Sequence, residues 1–569
     1  MSSANDESLT RFAVAGIPLI TSVSRMLSLK AILSDHFPPT YGNETVPVVD
    51  TLMLLLCNIT LGRQPLYELG QWVGSIDPNC FGLPVENLGA FNDDRFARAL
   101  DKLYFADRAS LMTEIVVNMI KEVDLALTRI HNDSTTVKAY GKIPGKTITG
   151  LKLERGTSKD HRPDLKQLVF SLSISSDGAV PVHYKTYSGN RTDDTTHIET
   201  WTTVSKIAQK SDFIYVADCK VCTANQLGYI VGKGGRVITI VPNTWKETMT
   251  FKEELRLEKK EKKRIWRRKI PISWGEVEYY SLFCGNYFTK KAGYRMYWYH
   301  SSEKRKNDAL SREQKLQKAE SELFILTPKL NKRKLKTREE IEKRIEQILK
   351  HYKIKEFLTI SLTEVRQSYR VQIGKGRPGA NTKYKNCVET VYSLVWERDE
   401  EALKREKNVD GIFPLLTTDE SLSAKEVLRA YKYQPRLEKR FTQFKSVHEA
   451  APLLFKKIER VEGIMFLFFL SLMIQAIIER EVRLKMKEWD IDTLPIYPEF
   501  RDAFHPTTSK ILSFFEGISS YQVRMGKMIK EFRDSFTQTQ ELILNMLGIS
   551  LDYYWGHSAA AEGDKSEKT

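Results

Sequence analysis

Residues 165–184 read LKQLVFSLSISSDGAVPVHY. Leu168, Phe170, Leu172 and Ile174 alternate with Val169, Ser171 and Ser173, the period of a half-buried strand. Ser176, Asp177 and Gly178 supply a turn, and Val180, Val182 and Tyr184 begin a returning strand, so the stretch predicts a β-hairpin. Upstream, LALTRIHND (125–133) reads as a strand ending at Asp133. Downstream, DFIYVAD (212–218) is a compact apolar strand ending at Asp218. A helix, TANQLGYIVGKGG, and another strand, RVITIVP, follow. The order strand, hairpin, strand, helix, strand predicts an α/β layout with a mixed sheet, and two aspartates stand at the ends of two strands.

The flanks read differently. Residues 1–123 are mostly helical in pattern, with VVDTLMLLLCNITL and SLMTEIVVNMIKEV separated by the turn-rich SIDPNCFGLPVENLG. The sheet segment spans 124–241, and 242–408 is a basic insertion of mixed α+β character. That insertion opens with KKEKKRIWRRK (259–269), which reads either as a solvated helix face or as a phosphate-contacting run. Leu316, Leu323 and Leu330 recur every seven residues. Thr337 with Glu340 fits a capping box opening a second helix with Ile341, Ile345 and Ile348 on one side, and the two predict an antiparallel helical hairpin.

Strand-like FLTISLTEV, SYRVQI and VETVYSLVW surround the loop GKGRPGANTKYKN. Gly374, Gly376 and Gly379 satisfy G-x-G-x-x-G, but Pro378 and the polar continuation give the loop no helix to start, which argues against a dinucleotide site. The loop reads instead as a basic turn offering Lys375 and Arg377 to a backbone phosphate.

Sheet material returns in NVDGIFPLLTT, so 409–482 is expected to complete the sheet domain. SAKEVLRAYKYQPRLEKRFTQFKS then places Tyr431, Gln434, Glu438 and Lys445 at offsets of 3, 7 and 14, within roughly 60° on one helical face. Pro435 suits a first helical turn, so Glu438 and Lys445 are the firmer helical partners. GIMFLFFLSLMIQAII (463–478) is slightly short for a bilayer, is flanked by charge, and reads as a buried helix. Residues 483–556 read as helical, and 557–569 as a disordered tail.

Lys and Arg total 88 against 72 Asp and Glu in 569 residues, and the net charge of +16 favours a polyanionic partner, nucleic acid ahead of membrane. MSSANDESLTRF lacks the layout of a signal peptide, so a cytoplasmic, nucleoid-associated protein with no membrane partner is expected. Six scattered cysteines fit a reducing compartment. Cys219 and Cys222 form one C-x-x-C without a second pair, and packing is the expected role.

Phosphodiester chemistry with two divalent ions needs hard oxygen ligands around metals about 4 Å apart. Aspartates at the ends of adjacent strands, about 5 Å apart, and a carboxylate from a helix packed across the sheet meet that need. Asp133, Asp218 and Glu438 fit this description.

The ordered blocks D-S-T-T at Asp133, G-x-S-K-D-H-R-P-D-L-K-Q from Gly156, GNRTDDTTH, VADCKVCT, GGRVITIVPNTWKE and DGIFPLLTT resemble those of insertion-sequence transposases of the DDE type. The last block resembles that family's Y-x2-R-x3-E-x6-K signature, with Gln434 standing where arginine is expected.

The resemblance implies an RNase H-like α/β mixed-sheet catalytic domain carrying a large α+β insertion, with helical regions at both ends and a DNA-end-binding role for the first. It implies two Mg²⁺ ions, replaceable by Mn²⁺, on Asp133, Asp218 and Glu438. Tyr431, Lys445 and more weakly Gln434 would position phosphates, and Lys159 and Arg162 would contact DNA or brace the domain. The implied partners are double-stranded DNA, as transposon ends and target, and a second subunit in a homodimeric synaptic complex. The expected activity is cleavage and strand transfer at terminal inverted repeats. An RNase H-like nuclease and a transposition-inactive DNA-binding relative are the alternatives.

Overall fold

The computed structural model describes residues 7–38, 46–62, 64–139, 150–156, 164–191, 196–269, 277–332, 335–448, 455, 457–499, 501–526 and 528–556. Strand β1, Glu7–Ala13, precedes a run of helices that includes Val48–Leu61, Asp93–Phe105 and Arg108–Glu122. The alternating segments then give β2 (Arg129–Ala139), β3 (Lys166–Ser175), β4 (Pro181–Ser188), β5 (Ile214–Ala217) and β6 (Arg236–Ile240). Their spatial order is β4-β3-β2-β5-β6. The first three are antiparallel, while β2 with β5 and β5 with β6 are parallel. The helix Ala224–Gly232 links the last two.

Two expectations about these strands change. β2 does not end at Asp133; the β-branched Thr135, Thr136 and Val137 carry it on to Ala139 against β3. Only its parallel pairing with β5 stops early, at His131↔Val216. β3 is also not half-buried, since every residue after Lys166 is inside. Phe170 stacks on Phe444 at 4.5 Å, and in the small serine positions Ser173 Oγ accepts a bond from Asn132 Nδ2 at 3.0 Å. Serines fit there because their hydroxyls are hydrogen-bonded, which removes most of the burial cost.

The turn after β3 is held from two sides. Gly178 adopts φ +72°, a left-handed conformation that glycine enters without strain, and a Cβ there would meet the Arg480 side chain at 2.9 Å. Arg480 pairs with both oxygens of Asp177, and Arg440 Nη2 and Nε donate to the carbonyls of Gly178 and Ala179.

The chain folds as two compact units, residues 1–239 with 429–569, and residues 240–428. In the second unit β7 (Lys262–Lys269), β8 (Val277–Phe283), β9 (Tyr287–Phe288) and β10 (Arg295–Ser301) precede the helices Ser302–Leu326 and Arg338–Tyr352. The run KKEKKRIWRRK is thus the edge strand β7 rather than a helix face. Lysine and arginine at an exposed edge discourage pairing with another chain. The helical hairpin forms as predicted around Leu316, Leu323, Ile341, Ile345 and Ile348, with the Thr337–Glu340 capping box in place. β11 (Leu358–Gln372) and β12 (Tyr384–Arg398) form one long antiparallel ribbon, which joins FLTISLTEV and SYRVQI into a single strand. β13 (Ile412–Thr417) pairs antiparallel with β10.

The chain returns to the first unit through the helix Pro435–Thr442, a π-helical turn Gln443–Val447 and the helix Ile458–Glu488. The last is long and apolar enough to cross a membrane, but its most apolar window is wholly buried within the protein, as expected of a core helix. Phe466, Phe468 and Phe469 are fully inside, each contributing roughly 2–3 kcal/mol by burial. The terminal regions are not all helical. β14 (Ser519–Met525) and β15 (Met528–Arg533) join β1 in a three-stranded sheet. Tyr521, Val523 and Met525 alternate with Gln522 and Arg524, a period-two signal too short to stand out beside the flanking helices. The expected tail at 557–569 lies outside the described residues.

Candidate active site

Asp133 is half-buried within β2, and its Oδ1 accepts the Ser134 N–H at 2.7 Å. Asn132 beside it points to the opposite face and donates to Leu172 O at 3.1 Å, which locks the β2–β3 register and with it the direction of Asp133. Asp218 follows β5 directly, with its side chain 38% exposed, and caps a short turn by accepting the Lys220 N–H at 3.0 Å. Continuing the β2–β5 register by two residues sets Asp133 opposite Asp218.

Glu438 is exposed on Pro435–Thr442, a helix docked by its neighbours. Arg440, almost fully buried, binds the β3–β4 turn as described and pairs with Glu479 at 3.0 Å. The expectation that Tyr431, Gln434, Glu438 and Lys445 share one helical face fails. The helix Ala424–Tyr431 ends before Pro435, Glu438 lies on the next helix, and Lys445 lies in the π-helical turn. Proline has no N–H to continue the first helix and is placed to start the second.

Tyr431 still senses the carboxylates: its phenol is held well above its ordinary pKa, first by burial and then by the negative charges of Asp218, Asp133 and Glu438. Tyr431 therefore remains a neutral O–H donor at physiological pH. Among the described residues, however, no three His, Cys, Asp or Glu side chains stand close enough to hold a metal ion as placed. The donor set has the hard oxygen chemistry that Mg²⁺ takes, and holding an ion requires these carboxylates to turn toward one another.

Gln434 points into the protein. Its Nε2 donates to Asn132 O at 3.1 Å and its Oε1 lies 3.2 Å from His131 Nδ1. Because the amide nitrogen must face the carbonyl, the oxygen faces the imidazole, and His131 carries its proton on Nδ1. Burial lowers the His131 pKa to about 4, so the ring is neutral. Tyr433 covers it at 4.9 Å. A glutamine in the place of the expected arginine thus ties the start of the Glu438 helix to the strand of Asp133.

His131 and His197 were not singled out by sequence. His197 is buried, with Nδ1 3.1 Å from the Tyr215 hydroxyl and Nε2 3.7 Å from Asp218 Oδ1. Its only sequence signal is its place in GNRTDDTTH. Lys159 and Arg162 lie outside the described residues, and Lys375 and Arg377 are exposed at the tip of the β11–β12 ribbon in the second unit.

A family described as a domain of unknown function, DUF4277, matches residues 12–117, the N-terminal helical part. No curated protein matches. Among solved structures, a cryo-EM structure of piggyBac transposase synaptic complex with hairpin DNA is 8% identical with a TM-score of 0.35, covering 82% of this chain and 73% of that one. Likeness at that level is too remote to argue from.

Proposed function

We propose that this chain is a DDE-type DNA transposase that binds the terminal inverted repeats of its element, cuts DNA there and joins the freed 3′ hydroxyl to target DNA. The observation that carries the reading is that Asp133 and Asp218 stand at neighbouring positions along β2 and β5, while Gln434 ties the start of the Glu438 helix to the strand of Asp133. The order β4-β3-β2-β5-β6, with its antiparallel start and parallel finish, supports an RNase H-like catalytic domain.

In this reading Asp133, Asp218 and Glu438 hold two Mg²⁺ ions, with Mn²⁺ able to substitute. When bound, such ions supply an activated water or hydroxyl and neutralise charge on the leaving oxygen. Tyr431 donates its O–H to a phosphate or carboxylate oxygen. Lys445 offers a cation to the phosphate, and Gln434 acts mainly as the brace between β2 and the Glu438 helix. The net charge of +16 supports a double-stranded DNA partner, and joining two ends calls for a homodimeric synaptic complex. We place the protein in the cytoplasm at the nucleoid.

The test is a strand-transfer assay with the DNA flanking the gene, supplied as pre-cleaved ends, with Mg²⁺ and a supercoiled target. A transposase joins the ends to the target. Cutting of uncleaved ends without any joining would leave a nuclease in its place.

A further inference from the structure

The ribbon β11–β12 is anchored at one end and bare at the other. At its base Leu358 and Leu394 sit in the core of the helical hairpin, with Ile360, Leu362, Tyr392 and Trp396 packed against it. Asn331 exchanges two hydrogen bonds with the Tyr392 backbone, and Arg398 binds Glu313 and Glu320. Beyond that base, every residue from Arg366 to Val388 except Gln372, Thr382 and Cys387 is exposed. A two-stranded ribbon standing alone in water is marginal, so a long bare one is a surface built to be covered.

Charge and shape identify the cover. The segment 366–388 contains Arg366, Arg370, Lys375, Arg377, Lys383 and Lys385 and no Asp or Glu. The core of a protein–protein interface is depleted of charge, and lysine above all, whereas an all-cationic surface matches phosphate.

Paired residues of an antiparallel ladder share a face. Arg366 with Thr390 and Arg370 with Asn386 mark one face, and Tyr369 with Cys387 and Val371 with Lys385 mark the other. From Arg366 to Gln372 the free strand is about 20 Å long at the usual rise. That is somewhat more than half a turn of duplex, whose full turn is roughly 34 Å. The major groove, about 12 Å wide, admits a two-stranded ribbon, and the exposed Val371 (42%) and Ile373 (59%), two residues apart on the face of Tyr369 and Lys385, are the apolar side chains that meet thymine methyl groups there.

We propose that the free half of this ribbon lies along the major groove of duplex DNA, with its six cations on the flanking phosphates. Gly374 (φ +106°) and Gly376 (φ +138°) allow the tip to bend tightly, bringing Lys375 and Arg377 against the backbone. The proposal rests on the transposase reading for the identity of the DNA, but not on the chemistry at Asp133.

The test uses the full chain carrying Lys375→Gln, Arg377→Gln, Lys383→Gln and Lys385→Gln together. Binding to a labelled 40-base-pair duplex from the gene's flank is measured between 50 and 200 mM salt. Each lost phosphate contact lowers the slope of log affinity against log salt by about 0.9, so the slope falls by about 3.6. Across that range the parent then loses about 100-fold more affinity than the variant. An unchanged slope with an unchanged melting temperature overturns the proposal. So does self-association of the DNA-free parent in sedimentation that the variant abolishes. An Asp133→Asn protein run alongside separates the two readings, since it is expected to keep the full slope while losing cleavage.

Discussion

At the scale of single residues, Gln434 and His131 are the least anticipated part of the site. The family resemblance implied Gln434 as a weak phosphate contact, yet its amide spans from Asn132 O to His131 Nδ1. Gln434→Ala removes both bonds and leaves a buried imidazole unsatisfied, so we expect a stability loss of about 2 kcal/mol in urea melts. Cutting should fall with little change in DNA affinity, because no cation is lost. His131 and His183 are both buried with pKa values lowered to about 4. Unfolded histidines take up protons below about pH 6.5 and these two do not until about pH 4, so stability is present above 6.5 and declines as pH falls through that window. Urea midpoints measured from pH 7 to pH 5, above the carboxylate range, should therefore drop steadily. A flat profile would mean that the two rings are not held neutral.

At the scale of elements, the hairpin β3–β4, the end of β5 before Asp218 and the Thr337 cap were legible because each depends on contacts close in sequence. Alternation of Leu168, Phe170, Leu172 and Ile174 needs only a sheet to fix it, and Thr337 with Glu340 only a helix to begin. The break at Pro435 was half legible: proline signalled a helix start, but only tertiary docking decides that the preceding helix stops rather than bends. Edge strand β7 was hidden because its lysines and arginines carry no period of two in hydrophobicity, and its pairing with β8 is what makes it a strand. Docking of the Glu438 helix depends on Arg440, which was invisible in the spacing. Arg440→Met should cost about 3 kcal/mol, since Glu479 would stay buried with a weaker partner in Arg483 at 3.5 Å. Thermal melting measures this, and a loss below 1 kcal/mol would mean that the helix is held chiefly by Leu437 and Phe441.

At the scale of the whole molecule, the chain encloses one apolar helix, Ile458–Glu488, in the same compact unit as β2–β6 and both terminal regions. The sequence marked that helix as buried by its length and flanking charge, but it gave no sign that β1 pairs with β14 across some five hundred residues. Non-local pairing of this kind leaves no periodic trace in either segment alone. On the proposed reading Asp133, Asp218 and Glu438, drawn from distant points of that unit, act together, and the account stands or falls with them. The most direct measurement is cleavage of a duplex from the gene's flank by Asp133→Asn, Asp218→Asn and Glu438→Gln proteins in Mg²⁺, with end binding recorded in the same samples. The account predicts that each single change abolishes cleavage while binding persists. Full cleavage by any one of the three would contradict it.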